Sequence, residues 1–346
     1  MAYTPINKST DYFNTKLWTG TGSEQTISGV EFQPDMVWLK QRTSSTRNHN
    51  LYDAVRGVTK RIYPDDTSAE DTDAQSLKSF NADGFVLGTS TNVNQNGGTY
   101  ASWNWKANGQ GSSNTDGSIN TTYTSVNTTS GVSISKYTGI GATATVGHGL
   151  GVVPKVVLIK GVSNAGSWGM YHASVGAAKK MVLNTNAAEA SSGWMNSTAP
   201  TNQVFTVIND GDVGTNGYTY VAYSFADVQG YSKFGSYTGN GNAVGPFVYT
   251  GFKPAFLLIK KYSATEEWIM TDNKRIGYNN QNYGLFANTN AVEQTGSDFQ
   301  SIDLLSNGFK MNVNTGYNNG SGATYIYLAF AEAPLVGSNN VPANAR

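Results

Sequence analysis

One short stretch of this sequence is rich in carboxylate side chains. Paired carboxylates can perform acid–base catalysis. Five lie within PDDTSAEDTD and two more are adjacent further along: Asp65, Asp66, Glu70, Asp71, Asp73, Glu266 and Glu267. Two carboxyl groups roughly 5 to 9 Å apart can cleave a glycosidic bond. However, the Pro, Asp, Thr and Ser around Asp65 are typical of a solvated turn. We therefore expect a turn, with glycoside hydrolysis as the alternative.

The sequence has few side chains that could bind a metal ion or act as a catalytic nucleophile. The sequence has no cysteine, which excludes disulfides, thiolate zinc sites and cysteine nucleophiles. The three histidines are widely separated and lack further ligands at zinc spacing: His49, His148 and His172. The run NDGDVGTNG offers oxygen ligands but no closing glutamate of an EF-hand: Asp210, Asp212 and Asn216. We predict a hairpin turn there, and no catalytic residue, cofactor or metal site.

Tryptophan beside polar side chains suits sugar binding, because the ring stacks on a C–H face while its neighbours bind hydroxyl groups. Trp103 and Trp105 alternate in TYASWNWKA, so they share one face of a strand, and we expect that face to be core. Trp194, in the turn-like SSGWMNSTAP, has no counterpart elsewhere in the chain. Trp194 is therefore our candidate for an exposed contact residue.

Paired glycines occur three times behind an aromatic residue and a threonine, as WTGTG, YTGIG and YTGNG. A dinucleotide-binding loop would need a third glycine and a following helix, which are absent. Two strand-like motifs recur with the loop: PDMVWLK, PKVVLIK and PAFLLIK, then TYASWNWKA, TYVAYSFAD and TYIYLAFAE. Their intervals are 119 to 120 residues, then 100 to 105. Such matching intervals indicate an internal repeat in which the loops are turns.

The residues that define this repeat carry a predicted structural role. They are Gly20, Gly22, Pro34, Lys40, Glu70, Gly139, Gly141, Pro154, Lys160, Glu189, Gly239, Gly241, Pro254, Lys260 and Glu293. Each glutamate follows a Thr or Asn by three residues, in TSAE, NAAE and NAVE. That spacing is typical of a capping box, so we expect a helical turn at each place.

The apolar runs are short, rich in β-branched and aromatic residues, and bounded by Gly, Asn, Asp and Pro, which predicts an all-β fold. We expect three tandem antiparallel β-sandwich, jelly-roll-like repeats of about 100 residues. The alternative is a closed assembly in which the copies share sheets. The predicted parts are 1–106 (repeat 1 with an N-terminal arm), 107–131 (a Gly/Ser/Asn/Thr linker that tethers repeat 1), 132–228 (repeat 2), 229–334 (repeat 3) and 335–346 (tail).

The charge balance argues against nucleic-acid and membrane partners. Lys plus Arg and Asp plus Glu are both 23, and charged residues make up only 13% of the chain. A surface without net field does not attract phosphate backbones or anionic lipid. We also expect no exported or membrane-inserted protein, because no apolar run has the length of a signal core or a membrane span.

Several long strings resemble a known family, among them STDYFNTKLWTGTG, TVGHGLGVVPK and KFGSYTGNGNAVGPFVYTGFKPA. They are similar to the tandem repeat of virion structural and tail-fibre-like proteins of marine tailed bacteriophages. The resemblance implies a non-enzymatic virion protein on the tail or capsid surface, assembled in the host cytoplasm. Its implied partners are other virion proteins, further copies of the chain in a homo-oligomer, expected to be a trimer, and host surface glycans.

Two alternatives to a tail-fibre role remain open at the level of sequence. One is a capsid decoration or head fibre, because the sequence has neither coiled-coil heptads nor a collagen-like glycine period. The other is a tailspike-like polysaccharide depolymerase that uses carboxylates such as Asp65 and Asp66.

Overall fold

The computed structural model describes residues 4–44, 47–191, 193–296 and 301–337. The regular structure is almost entirely antiparallel β, which confirms the predicted all-β fold. In the described residues, helix is limited to a 3-10 turn at Ser9–Asp11 and one α-helical turn, α1, at Thr91–Asn94. We divide the chain into unit 1 (4–106), unit 2 (107–228) and unit 3 (229–334).

The strands form where short apolar runs meet Gly, Pro and Asn punctuation. Unit 1 contains β1 (Phe13–Thr19), β2 (Gln25–Ser28), β3 (Met36–Gln41), β4 (Asn50–Asp53), β5 (Lys60–Arg61), β6 (Asp71–Thr72), β7 (Leu77–Asn81), β8 (Gly84–Leu87) and β9 (Thr99–Trp105). Unit 2 contains β10 (Tyr123–Asn127), β11 (Val132–Thr138), β12 (Ala144–Gly147), β13 (Val156–Gly161), β14 (Gly169–His172), β15 (Lys179–Val182), β16 (Ala190–Ser191), β17 (Val204–Val207) and β18 (Thr219–Phe225). Unit 3 contains β19 (Ser232–Thr238), β20 (Phe247–Tyr249), β21 (Phe252–Lys261), β22 (Trp268–Asp272), β23 (Tyr283–Phe286), β24 (Gln294–Thr295), β25 (Ile302–Leu305), β26 (Gly308–Met311) and β27 (Thr324–Pro334).

The large sheets of the three units share a core of four strands in one order, which is β1-β9-β3-β4 in unit 1, β11-β18-β13-β14 in unit 2 and β19-β27-β21-β22 in unit 3. Their full orders are β1-β9-β3-β4, β10-β11-β18-β13-β14-β15-β16 and β19-β27-β21-β22-β23-β24. A small sheet accompanies each large one, with orders β2-β8-β7, β12-β17 and β20-β26-β25, and β5 pairs with β6. None of these sheets mixes strands from two units. Sheet sharing of the propeller kind is therefore not the way in which the units are joined.

The central strands of each large sheet are buried on both faces, and alternate residues of a strand point to opposite sides. In β9, Tyr100 faces the small sheet, whereas Trp103 and Trp105 face the middle of the molecule. The tyrosines that follow the threonine in β18 and β27, Tyr220 and Tyr325, take the same side as Tyr100. A large and a small sheet thus form a sandwich in each unit.

The three sandwiches meet at one central core. Trp105, Phe225 and Phe330, the corresponding residues of β9, β18 and β27, form a triangle of rings with centroids 5.6 to 6.5 Å apart. Apolar residues of all three large sheets continue this cluster. Since the core belongs equally to the three units, they pack as one body.

The segment predicted to be a linker is folded, so the prediction of a tether is wrong. Within 107–131, β10 pairs with β11 along its full length, and the Ile119 amide donates to the carbonyl of Thr145 in β12. Ile119 is buried, as are Thr124 and Ser125 of β10. Short Ser, Thr and Asn side chains pack here because hydrogen bonds satisfy them, such as the Ser113 hydroxyl donating to the Thr121 carbonyl at 2.7 Å. Of the predicted tail, residues 338–346 lie outside the described residues.

Candidate functional site

The repeated glycine loops are turns with a steric requirement for glycine. A Cβ on Gly20, Gly139 or Gly239 would lie 2.2 to 2.4 Å from a backbone oxygen. Gly22, Gly141 and Gly241 have φ between +67° and +73°, which side chains rarely adopt. In each copy the amide of the second glycine donates to a carbonyl just before the last large-sheet strand. The loop therefore connects strands and leaves no cradle for phosphate.

The repeated prolines are buried, and the repeated lysines link neighbouring units. Pro34, Pro154 and Pro254 are buried, at or just before β3, β13 and β21. Each lysine at the end of the run donates three hydrogen bonds to carbonyls, one of them in another unit. Those acceptors are Asn290 for Lys40, Thr67 for Lys160 and Asn186 for Lys260, at 3.1 to 3.2 Å. Burial lowers the pKa of each of these lysines to about 8.

The predicted capping boxes are wrong, because residues 67–70, 186–189 and 290–293 contain no helix. Each segment instead runs along a neighbouring unit. The amides of Glu70, Glu189 and Glu293 donate to the carbonyls of Val162, Tyr262 and Arg42 respectively. A backbone amide is equally satisfied by a carbonyl of another unit and by a carbonyl or side chain of a helical turn. Which of the two it finds depends on the tertiary structure.

The glutamate side chains also serve structure. Glu70 binds Arg56 at 3.1 Å, and Glu293 binds Arg275 at 3.0 Å. Each of these buried arginines also pairs with an aspartate three residues earlier, Asp53 and Asp272. Glu189 pairs with Lys179 at 3.4 Å.

The three histidines lie apart from one another, and each has a structural surrounding of its own. His49 corresponds to Trp168 and Trp268, and all three rings reach a carbonyl of a neighbouring unit. Because His49 Nδ1 accepts from the Trp38 indole N–H, its Nε2 carries the proton that is donated to Phe286. Burial lowers the pKa of His172 to about 4 and also lowers that of His148.

The carboxylate cluster is also used structurally. Asp65 accepts the His49 amide at 3.0 Å, as Asn184 accepts the Trp168 amide and Asn288 the Trp268 amide. Asp66 accepts from the amide and hydroxyl of Ser68, and Asp71 and Asp73 pair with Arg61. Glu266 pairs with Lys261 at 3.6 Å, and Glu267 accepts from the Asn288 amide.

The oxygen-rich run at 209–217 forms turns between β17 and β18. These strands lie in different sheets, so the predicted hairpin is wrong. Asp210 accepts the Asp212 amide and Asp212 accepts the Ser167 amide. Across the part of the chain that the structure describes, no three His, Asp or Glu side chains are grouped to hold a metal ion.

The prediction that Trp194 is an exposed contact residue is wrong. Trp194 is 4% exposed and packs against Gly169, where a Cβ would lie 2.9 Å from the indole ring. The Lys180 ammonium lies 5.3 Å from the ring centroid. Trp103 and Trp105 are buried, as the alternation of their strand predicts.

The clearest surface feature is a loop in which unit 3 departs from the repeat. Ten residues lie between Asp272 and Tyr283, whereas six lie between Asp53 and Lys60 and six between His172 and Lys179. The four extra residues add to the connection between β22 and β23. Units 1 and 2 show that the scaffold needs only the shorter loop. Insertions in one copy of a repeat lie in surface loops, which often carry function, so the longer loop of unit 3 is the candidate for a function beyond the scaffold.

The longer loop is fixed to β25. The Asn279 side chain accepts the Leu304 amide at 2.9 Å and donates to its carbonyl at 3.0 Å. The backbone of Gln281 exchanges two hydrogen bonds with Ile302 at 2.7 and 3.0 Å. Tyr278, between these anchors and Asp272, is 68% exposed. The loop therefore presents an aromatic ring on a supported backbone.

This loop borders a polar cavity of about 220 Å³, which we call the unit 3 cleft. Its lining includes Tyr278, Gln281, Asn273, Lys253, Lys274 and Glu332. Lys253 and Glu332 form an ion pair at 2.8 Å. Burial opposes ionisation of Glu332, but the hydrogen bonds from Lys253 and Asn273 keep its pKa below the ordinary value. The cleft thus offers an aromatic face, amide groups and fixed charges to a polar ligand.

The cleft was not among the predictions from sequence, although the longer loop that borders it is visible in the spacing of the repeat. The three copies are readily aligned at Asp53, His172 and Asp272, and the spacing to the next strand then shows the longer loop. The sequence near the loop does not indicate that Lys253 and Glu332 lie close to it, because these residues belong to the distant strands β21 and β27.

The chain belongs to the family described as Domain of unknown function (DUF7483), which matches residues 8–334. No curated protein and no solved structure matches it. Among the described residues, no helix has the length and apolar character needed to cross a membrane.

Proposed function

We propose that the chain is a non-enzymatic structural component of a tailed-phage particle, as its resemblance to virion and tail-fibre-like proteins implies. In this proposal it is an appendage that contacts host surface glycans through the unit 3 cleft. The observation that supports it best is the added loop, which places a supported, exposed tyrosine beside a polar cleft on an otherwise repetitive scaffold. Loops on rigid β scaffolds are the usual carriers of binding function.

The chemistry of the cleft fits a saccharide. A tyrosine ring can stack on the C–H face of a sugar, and amide, ammonium and carboxylate groups bind its hydroxyl groups. The residues that recur in all copies, in contrast, are engaged in turns, junctions and ion pairs. A cysteine-free body with one shared core also suits a particle that persists outside the cell.

Location on the particle is tested with a gold-tagged antibody against this chain on intact virions. We expect label at the tail or its fibres. Label spread over the head would contradict an appendage and support a shell decoration instead.

Host contact is tested by adding the purified chain to phage and host cells. We expect the wild-type chain to reduce phage adsorption, and Tyr278→Ala to lose this effect. Tyr218→Ala is the matched control, because Tyr218 is an exposed tyrosine of unit 2 outside the cleft. Unchanged adsorption with the wild-type chain would contradict the glycan role, and release of reducing sugar from host polysaccharide would contradict a non-enzymatic one.

A further inference from the structure

A second cavity lies beside the unit 3 cleft. It has a volume of about 320 Å³ and is lined mainly by unit 1 residues, among them Asn14, Lys16, Gly29 and Glu31; we call it the unit 1 cleft. Lys274 lines both clefts. The two cavities therefore adjoin at Lys274, on the boundary between units 1 and 3.

The carboxylates of both clefts already have cationic partners. Glu31 pairs with Lys8 at 2.8 Å, and Glu332 pairs with Lys253 at the same distance. The hydrogen bond from Lys8 lowers the pKa of Glu31, and the more distant charge of Lys274 adds to this effect, as it does at Glu332. Lys274 and Lys16 themselves have no carboxylate of the described residues within the 4.0 Å of an ion pair. The groove is consequently left with two ammonium groups that no direct partner neutralises, one at its middle and one in the unit 1 cleft.

We propose that the two clefts form one groove for an acidic oligosaccharide, with an anionic group of the sugar at Lys274. This inference rests on the proposed glycan contact and names its chemical class. Tyr278 stacks on one sugar ring in the unit 3 cleft, Lys274 binds the carboxylate or sulfate group, and the chain continues past Lys16. Hydrogen bonds between charged groups are stronger than neutral ones, so an acidic glycan is preferred over an uncharged one of equal length.

The length of the ligand follows from the geometry. The unit 3 cleft is below the roughly 300 to 1,000 Å³ of sites for drug-sized ligands, so it accommodates a small unit such as one sugar. Reaching Lys16 requires the adjoining cavity. A glycan of two or three sugars is therefore expected to bind better than the single acidic sugar.

The test is a calorimetric titration of the full chain with trigalacturonate, a sulfated trisaccharide and uncharged maltotriose. We expect at least one acidic trisaccharide to bind more tightly than maltotriose, and its affinity to fall as salt is raised, because salt screens exposed charges. Lys274→Gln should weaken it roughly fivefold, in line with a surface charge contact of about 1 kcal/mol. Lys78→Gln, an exposed lysine of the unit 1 small sheet, is the matched control and should leave the affinity unchanged.

The carboxylated and sulfated arms identify the source of the anionic group. Equal binding of all three trisaccharides, unaltered by Lys274→Gln, would overturn the acidic preference while leaving the glycan contact in place. No binding of either acidic trisaccharide would overturn the inference. The proposed host contact itself is contradicted by a different result, namely phage adsorption that the purified chain leaves unchanged.

Discussion

Asp65 occupies a position that asparagines fill in the other two units, Asn184 and Asn288. All three side chains accept the amide at the start of a large-sheet strand or just before it. An amide can do this without charge, whereas burial raises the pKa of the Asp65 carboxyl to about 7. Asp65 is therefore a hydrogen-bond acceptor that carries an electrostatic cost at neutral pH.

Replacing Asp65 by asparagine should stabilise the protein in a pH-dependent way. Above about pH 7 the carboxylate is ionised in both states, and the folded state bears the full cost of burying it. Between pH 7 and about 4 the folded state binds the extra proton and the cost declines. We expect Asp65→Asn to raise the free energy of unfolding on the order of 1–3 kcal/mol at pH 8, and progressively less toward pH 4.

Urea denaturation at pH 8, 6 and 4.5 checks this expectation. Asp66→Asn is the control, because hydrogen bonds from Ser68 lower the pKa of Asp66, so its loss should destabilise slightly at neutral pH. A gain from Asp65→Asn that does not vary with pH would contradict the assignment.

Lys160 provides a second test at the scale of a residue. Its ammonium donates to carbonyls of Thr67, Gly161 and Gly166, so Lys160→Met leaves buried acceptors without a donor across the junction of units 1 and 2. We expect a loss of about 2–4 kcal/mol in the free energy of unfolding. Lys78→Met removes only an exposed ion pair and should cost less than about 0.5 kcal/mol. Equal effects of the two variants in chemical denaturation would refute the junction role.

At the scale of an element, the loop between β22 and β23 separates scaffold from function. Units 1 and 2 make the same connection with four fewer residues, so the sheet does not need Tyr278–Gln281. Deleting these four residues should lower stability only modestly, by about 1–2 kcal/mol, for the lost hydrogen bonds to β25.

The same deletion should abolish the reduction of phage adsorption by the purified chain. Thermal unfolding and adsorption are measured on the same preparation, with Tyr278→Ala as the variant that keeps the loop length. A deletion variant that folds and still competes with the phage would show that host contact lies elsewhere.

At the scale of the whole molecule, the ring triangle of Trp105, Phe225 and Phe330 predicts that the three units unfold together. Phe330→Ala opens a cavity that all three units border, and we expect it to cost about 3–5 kcal/mol. Hydrogen exchange should then accelerate in β9 and β18 as well as in β27, because the core is shared.

Phe309→Ala is the matched control, since Phe309 is equally buried but lies inside the sandwich of unit 3. Its effect on hydrogen exchange should be strongest in β20, β25 and β26. If Phe330→Ala loosened unit 3 alone, the units would be independent domains.

The local structure of this protein follows from patterns that are visible in its sequence. Alternation placed Trp103 and Trp105 on a core face, and short apolar runs between Gly and Asn predicted strands, because strand period and turn chemistry are properties of neighbouring residues. His49, Trp168 and Trp268 follow one another at the 119- and 100-residue intervals of the repeat, and the structure gives these three rings one role.

Contacts between distant segments, in contrast, depend on the packing of the folded chain. The motif of Glu70 has the spacing of a capping box, yet its amide pairs with Val162 of the next unit. The polar segment at 107–131 has few apolar side chains, yet its strand β10 pairs with the edge of the sheet at β11. Trp194 lies in a turn-like stretch and is buried because Gly169 leaves room for its ring. The unit 3 cleft joins a loop, β21 and β27, and contacts between residues far apart in sequence follow from packing, which local patterns do not encode.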